Sequence, residues 1–462
     1  MSRVIRLALL LACAGLAQLQ AQTLNLSVEQ AVALAKRQNR DILIARKQLD
    51  AARGGVMEAR SGYLPSVVSS GLLRQRERQE ESRLRGEDYN ASLRVVQNVY
   101  TAGAVKGRVS IARLLEEKRK LELAAVVDRV AMDLRVAYYD LLLNRAKIDV
   151  RLQSVRVMQE ELQAQQERFV AGTVGELNVR RADVALANEQ PELIDAQTRL
   201  QNSYLRLNEL CGFDAAGGAA PPRIEASGKL LYQPRQPDLT ECLAYASVSR
   251  PEIRSREIDI EIENQQLIVD RSELRPRVEA FTGYEVYSER DPKVGSAFNH
   301  GYVIGLNASW HMFDGFATRG RMHATRARRD AAAQALDLAR SQVESEVRSA
   351  FLDMQQADRV LQSETQNVQN ASESLEMARG NLAAGLGTQL DVLQAAADVT
   401  RTRTTRLGAI YLHNVALARL AKATAREPEA LGFTGKKATA ADAKRQAQMF
   451  DVARPPASLS TR

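Results

Sequence analysis

The sequence predicts a mixed α+β protein in which very long coiled-coil helices carry a small β-sheet, with the whole plan built twice. Three observations predict it: an internal duplication, a sustained seven-residue apolar repeat in each half, and short alternating segments that follow proline corners. A repeat of this length points to pseudo-symmetric architecture and not to one compact domain around one site.

The duplication shows in matched residues. Pro65 recurs as Pro276 and Ile42 as Ile253, a shift of 211 residues (276 − 65 = 211). Further along, Gly107-Arg108 matches Gly320-Arg321, Tyr138 matches Phe351, and FVAGTVGELNV from Phe169 matches LAAGLGTQLDV from Leu382, a shift of 213 (382 − 169 = 213). The expected order in each copy is helix, strand, loop, strand, very long helix, turn, helix. The boundaries that follow are residues 1–22 as a targeting segment, 23–211 as the first repeat, 212–237 as an irregular linker, 238–424 as the second repeat and 425–462 as a tail.

Each element has a local cause. A helix is expected from about Ser27 to Gly62, with Val28, Ala31, Val32 and Ala35 on one stripe. Pro65 ends it, since proline has no N–H to give a helix. Strands are expected at 66–75 and 89–100, with the polar stretch RQRERQEESRLRGED between them. The second copy repeats this with a helix from about Leu239 to Pro276 and strands at 277–288 and 299–313. In the last strand Tyr302, Ile304, Leu306, Ala308, Trp310 and Met312 alternate with a face that is small or polar apart from Val303. That alternation suits either a barrel strand in a membrane or a soluble sheet with one wet face. From Gly107 to Phe169 there is no proline and no interior glycine. Leu134, Leu141, Ile148, Val155, Leu162 and Phe169 stand at seven-residue steps, as do Val347, Met354, Leu361, Val368, Leu375 and Leu382. A strict period of seven winds helices into a left-handed supercoil, and a helix of about 65 residues is roughly 100 Å long. A glycine turn then precedes the last helix of each copy, Gly172-Thr173-Val174-Gly175 or Gly385-Leu386-Gly387-Thr388.

Composition excludes several classes. Aromatic residues make up 5%, too few for an ordinary globular core and suited to helices packed in layers. The net charge of +8 is modest for this length, and acidic residues are interleaved with basic ones, which argues against nucleic acid as a partner. Arg3 and Arg6 before an apolar run from Leu7 to Leu16 read as a secretory signal, with cleavage after Ala17 or Ala21. Cys13 carries a weak lipoprotein-like context, very close to Arg6. Cys211 and Cys242 would remain after cleavage, as packed thiols or as a disulfide. His300, His311, His323 and His413 form no ligand spacing with cysteines or acids and read as surface or lumen polar residues. Nothing resembles a catalytic constellation, a cofactor site or a phosphate-binding loop, so an enzyme is not expected.

Four strands cannot close a barrel, and an open edge in lipid leaves backbone groups unpaired at several kcal/mol each. In a membrane several chains would have to share one barrel. Two chains give eight strands, a barrel filled by its own side chains; three give twelve and leave a lumen.

At this point the chain resembles the TolC family of outer-membrane efflux proteins. The resemblance covers about Leu24 to Ala425. It rests on the duplication, the helix-to-strand corners at Pro65 and Pro276, the sequence MFDG at Met312 to Gly315, and the two tip segments quoted above. Departures exist. Asn39-Arg40-Asp41 lacks the usual proline that Arg250-Pro251-Glu252 keeps, and Phe316 replaces a glycine usual after the FDG pattern. The resemblance implies a homotrimeric duct, with a twelve-stranded barrel in outer-membrane lipid and a helical barrel crossing the periplasm. It implies docking with a periplasmic adaptor protein and an inner-membrane pump, proton-driven or ATP-driven. It makes Gly172, Thr173, Val174, Gly175, Gly385, Leu386, Gly387 and Thr388 the adaptor contacts. It places a periplasmic gate at Asp391 and Gln394, with Asn178 and Arg181 as first-copy equivalents, Arg181 being a candidate ion-pair partner of Asp391. Capping of the following helix is the structural alternative for Asp391. The competing readings are a periplasmic coiled-coil adaptor, which should carry one hairpin and soluble β domains, and a structural coiled coil, which the signal and strands disfavour.

Overall fold

The computed structural model describes residues 24–76, 86–213, 224–288, 298–427 and Leu431. The expected signal, Cys13 and most of the tail lie outside the described residues. The order is β1 (Leu24–Leu26), α1 (Val28–Gln38), α2 (Arg40–Ser61), β2 (Ser66–Arg76), β3 (Gly86–Tyr100), α3 (Ala104–Val170), α4 (Glu176–Cys211), β4 (Ile224–Ala226), α5 (Leu239–Ser249), α6 (Pro251–Ser272), β5 (Arg277–Ser288), β6 (Phe298–Ser309), α7 (Ala317–Ala383) and α8 (Gln389–Thr424). Among the described residues no helix is long and apolar enough to cross a membrane. The chain divides into two compact units, one of residues 45–124 and 251–340, the other of the remaining segments.

The first of these units holds a four-stranded antiparallel sheet in the order β2-β3-β5-β6. The duplication survives in its register. Ser66 opposite Val96 in the first hairpin becomes Arg277 opposite Ser309 in the second, the same pairing under shifts of 211 and 213. β6 ends at Ser309, short of the expected 313, and Trp310 instead donates its indole N–H to Leu274 O at 3.1 Å. The loop after β2 is also shorter than expected, because β2 continues to Arg76 and β3 starts at Gly86. Both strand-to-helix corners use two consecutive left-handed residues, Ala102 and Gly103 in one copy and Gly315 and Phe316 in the other. Below the sheet α3 lies against α2, where Gly62 faces Val105. It also lies against α6, where Lys118 Nζ meets Asp259 Oδ1 at 2.5 Å. α6 in turn holds α7, with Thr325 Oγ1 donating to Asp270 Oδ2 at 2.7 Å.

The other unit packs the rest of α3 and α7 with α1, α4, α5 and α8. The heptad residues are its core. Leu134, Leu141 and Val347 are completely buried, and cover thins along each helix until Phe169 is exposed. The other seam position of α3 is polar more often than apolar. Asn144 donates to Ser203 Oγ on α4 at 2.7 Å, and Ser203 Oγ donates to Asp140 at 2.5 Å. The equivalent second-copy positions are buried alanines, Ala357 and Ala416.

Two expected single helices are each broken in two. Asn39 separates α1 from α2; its Oδ1 caps α2 by accepting from Asp41 N at 2.9 Å, and its Nδ2 donates to Leu210 O at 2.8 Å. Arg250 separates α5 from α6, because Pro251 starts a helix well and cannot continue one. The expected irregular linker holds β4, which pairs in parallel with β1. Tyr138 ties the ends of this ladder together, its hydroxyl lying 2.9 Å from Leu26 O and 2.7 Å from Ser227 O. Cys211 and Cys242 are free and buried, with burial pushing the thiols up to about 12 and about 11. His413 corrects the reading of the histidines as surface or lumen groups. It is fully buried, its Nε2 2.9 Å from Gln233 O and its Nδ1 2.6 Å from Asp358 Oδ1.

Candidate functional site

Two surfaces stand out as candidates, one in each unit. The first is the sheet. Residues directly opposite across a ladder share a face. One face therefore collects Val67, Leu73, Leu93, Val95, Tyr284, Tyr302, Ile304 and Leu306. Tyr302 is 93% and Ile304 86% exposed, so this apolar face is left uncovered by the described residues. The opposite face carries Ser70, Ser92, Arg94, Glu279, Glu285 and Asn307 among apolar residues that include Val68, Val96 and Phe281. There the Arg94 guanidinium pairs with Glu285, and its Cζ lies 5.4 Å from the centroid of the Phe281 ring. Glycine is required beside this cluster. A Cβ on Gly283 would fall 2.3 Å from Leu93 O, and one on Gly305 2.6 Å from the Phe281 ring. Apolar-out and polar-in is the pattern of a strand with lipid on one side and water on the other. β2 and β6 are the edges of this sheet, each paired on one side only.

The second surface is the pair of helix turns. At Gly172 the chain takes φ +74°, Gly172 N donates to Phe169 O at 2.9 Å, and Thr173 N reaches back to Arg168 O at 2.9 Å. At Gly385 φ is +76°, and Leu386 N reaches Asn381 O at 2.8 Å in the same closing pattern. Both turns are thus helix stops that need a left-handed residue. Space around Gly172, Gly175 and Gly385 is open, whereas a Cβ on Gly387 would meet Asn381 at 3.1 Å. Val170, Leu177, Leu386 and Leu390 stand exposed beside the turns.

Asp391 lies in the first turn of α8. Its Oδ2 accepts from Thr388 N at 2.8 Å and from Thr388 Oγ1 at 2.7 Å, while its own N–H donates to Thr388 Oγ1 at 3.3 Å. These bonds form a capping box. The Thr388 hydroxyl bond, followed by the backbone bond, holds the carboxyl below its usual 3.8. Gln394 and Arg181 are exposed, and among the described residues Arg181 makes no ion pair with Asp391. Asn178 takes part through its backbone, its carbonyl accepting from Gln389 Nε2 at 3.0 Å. Gln389 is the residue the sequence reading missed. It is 4% exposed, links the two turns, and leaves its Oε1 without a partner. Its mark in the sequence was its place directly after the capping threonine. Pro65 and Pro276 sit at the entrances to β2 and β5, as expected. Among the described residues no group of His, Cys, Asp and Glu is placed to hold a metal ion.

Known proteins share this fold. The family model for outer membrane efflux proteins matches residues 31–213 and 243–426, one match per repeat. The cobalt-zinc-cadmium resistance protein CzcC of Cupriavidus metallidurans is 24% identical over 289 residues, covering 63% of this chain and 64% of that relative. The chain thus matches less than two thirds of that relative's length. Among solved structures, the Campylobacter jejuni CmeC outer membrane channel superposes with a TM-score of 0.75 at 14% identity, covering 92% of this chain and 89% of that one. The outer-membrane channel OprN gives 0.74 at 21% identity, covering 87% and 90%. The chain belongs to the outer membrane efflux protein family, the TolC family, and is located in the outer membrane, extending into the periplasm.

Proposed function

We propose that three copies of the chain form the exit duct of a tripartite export system, conducting substrates passively from an inner-membrane pump and a periplasmic adaptor to the outside. The observation that carries this reading is the sheet, with one apolar exposed face, one polar face and two half-paired edges. Strand edges in lipid are tolerated only when paired, and twelve strands are the smallest multiple of four that leaves a lumen. Native mass spectrometry of detergent-extracted protein should give a trimer. A monodisperse monomer soluble without detergent sinks the proposal.

The helix turns are proposed as the adaptor contacts, with Val170, Leu177, Leu386 and Leu390 supplying apolar area around glycines. Gly175 is the informative probe, since its φ of −83° suits any residue and its surroundings are open. Gly175→Tyr should abolish efflux in cells while trimer yield stays at the wild-type level. Gly385→Tyr should lower both, because a left-handed turn is lost as well. Asp391, with Gln394, Asn178 and Arg181 near the same turns, is proposed as the gate. Three carboxylates around one axis attract cations and repel one another. Asp391→Ala in planar bilayers should reduce cation selectivity or block by divalent cations. Wild-type selectivity and block would leave Asp391 with its capping role alone.

A further inference from the structure

The cavity at the start of α7, of about 360 Å³, has an apolar wall and a basic wall. Leu274, Met312, Phe313 and Phe316 form the first, with the Phe313 and Phe316 rings edge to face at 5.4 Å. Arg319, Met322 and Arg326 form the second, and steps of three and four place them on one face of α7. Thr318 and Thr325 lie on a different face; both are completely buried, and Thr325 bonds α6. Arg319 and Arg326 are exposed, and among the described residues neither makes an ion pair. The acid beside them, Asp314, is engaged, its Oδ2 accepting from Thr318 N at 2.7 Å. The cavity thus sets net positive charge against uncovered apolar surface. It also continues the apolar face of the sheet, since Leu306, Trp310, Met312 and Phe313 are exposed one after another past the end of β6. An exposed tryptophan at a strand end marks the headgroup level of a membrane. The first copy repeats the basic pair. Lys106 and Arg113 stand 213 residues before Arg319 and Arg326, are exposed, and make no ion pair among the described residues. Tyr63 and Tyr100 take the places of Leu274 and Phe313, both exposed. Val109 takes the place of Met322 and is buried, so less apolar surface is open there.

We propose that this cavity binds an acidic phospholipid of the membrane leaflet that faces the periplasm. Its phosphate sits between Arg319 and Arg326, and its acyl chains lie on Met312, Phe313 and Phe316. A guanidinium fork matches the oxygens of a phosphate, and two unpaired cations favour an anionic headgroup over a zwitterionic one. Lys106 and Arg113 hold a second headgroup at a shallower site. Such sites need the outer-membrane location alone, whatever the chain exports.

Lipid titration tests it. The full-length protein in detergent is titrated with phosphatidylglycerol and, separately, with phosphatidylethanolamine, and bound lipid is counted by native mass spectrometry. Phosphatidylglycerol should bind more tightly, and inorganic phosphate at equal concentration should not displace it. The Arg319→Gln, Arg326→Gln double variant should lose roughly fivefold in affinity for each charge removed. Arg406→Gln makes the same charge change at an exposed place on α8 and should lose nothing. Phe313→Ala should also weaken binding, because acyl-chain contact is lost while both arginines remain. Should the double variant fold poorly, either single arginine variant carries the same comparison. Equal affinity for the two lipids, displacement by inorganic phosphate, or wild-type affinity in the arginine variants overturns the proposal. Wild-type affinity in Phe313→Ala overturns it too, since an anion site without a lipid's chains would behave that way.

Discussion

Asn39 donates to Leu210 O at 2.8 Å, and Arg250, at the matching position, donates from Nη1 to Lys422 O at 3.0 Å. Each residue breaks a helix and closes the last turn of another, one with a neutral amide and one with a buried guanidinium. Arg250 also holds Glu346 at 2.9 Å, and Lys422 holds the same carboxylate at 3.1 Å. Burial alone would raise Glu346, but Arg250 and then Lys422 outweigh it and keep the carboxyl below 4.5. A depressed folded value means that this contribution is complete above the ordinary value and is lost as pH falls through the lowered one. Arg250→Ala should therefore cost about 2 kcal/mol near neutral pH, and less as the pH drops below 4.5. Thermal unfolding in detergent at pH 7 and at pH 3.5 checks this; a pH-independent difference would show that the carbonyl bond alone matters. The break at Arg250 was legible in the sequence, because Pro251 announces a helix start. The break at Asn39 was not read, since the proline is missing there and only the capping propensity of asparagine remains.

At the scale of elements, the sheet separates two kinds of glycine. Gly283→Ala must push its Cβ against the Leu93 carbonyl, which is backbone and cannot swing away, whereas Gly301 has nothing within 4 Å. Gly283→Ala should lower the yield of folded, heat-modifiable protein on gels, and Gly301→Ala should leave it unchanged. Tyr138 offers a second contrast. Tyr138→Phe removes a single hydroxyl proton, leaving Leu26 O with its bond from Ser227 N at 3.0 Å, and should cost about 1 kcal/mol by thermal unfolding, although the second copy carries Phe351 at the same place. The long helices and strand faces were legible because period seven and period two persist over many residues. β1 and β4 are three residues each, too short to carry a period, and their partner lies two hundred residues away in the chain. His413 was misread for a related reason. Its burial depends on Asp358 from another helix and Gln233 from the linker, and no spacing reveals that meeting. Asp391 shows its capping in the sequence, through Thr388 three residues earlier, but capping says nothing about an axis.

For the whole molecule, a chain made of two similar halves must still be assembled correctly. α3 meets α8 as well as α4, Thr400 Oγ1 donating to Ser154 Oγ at 3.1 Å, so the face of α3 that takes α4 must not take α8 in its place, although the two are related by the same duplication. The layer of Asn144, Ser203 and Asp140 decides between them. If α8 took the place of α4 on α3, Asn144 would face Ala416 and lose its bond to a hydroxyl inside a buried seam. If α7 paired with α4, Ser203 would face Ala357. Each misfit costs a hydrogen bond between helices, about 1 kcal/mol, while Asn144 keeps Asp140 Oδ2 at 3.1 Å and Ser203 keeps Arg199 O at 3.0 Å. Asn144→Ala with Ser203→Ala should be tolerated by the finished structure, since that is the packing of the other half. The same double variant should refold from denaturant with lower recovery and more misassembled species on sizing columns. Equal recovery would mean that the layer plays no part in sorting. Divergence between the copies would then be a device of folding fidelity: the two halves differ most usefully where sameness would let either hairpin accept the wrong half.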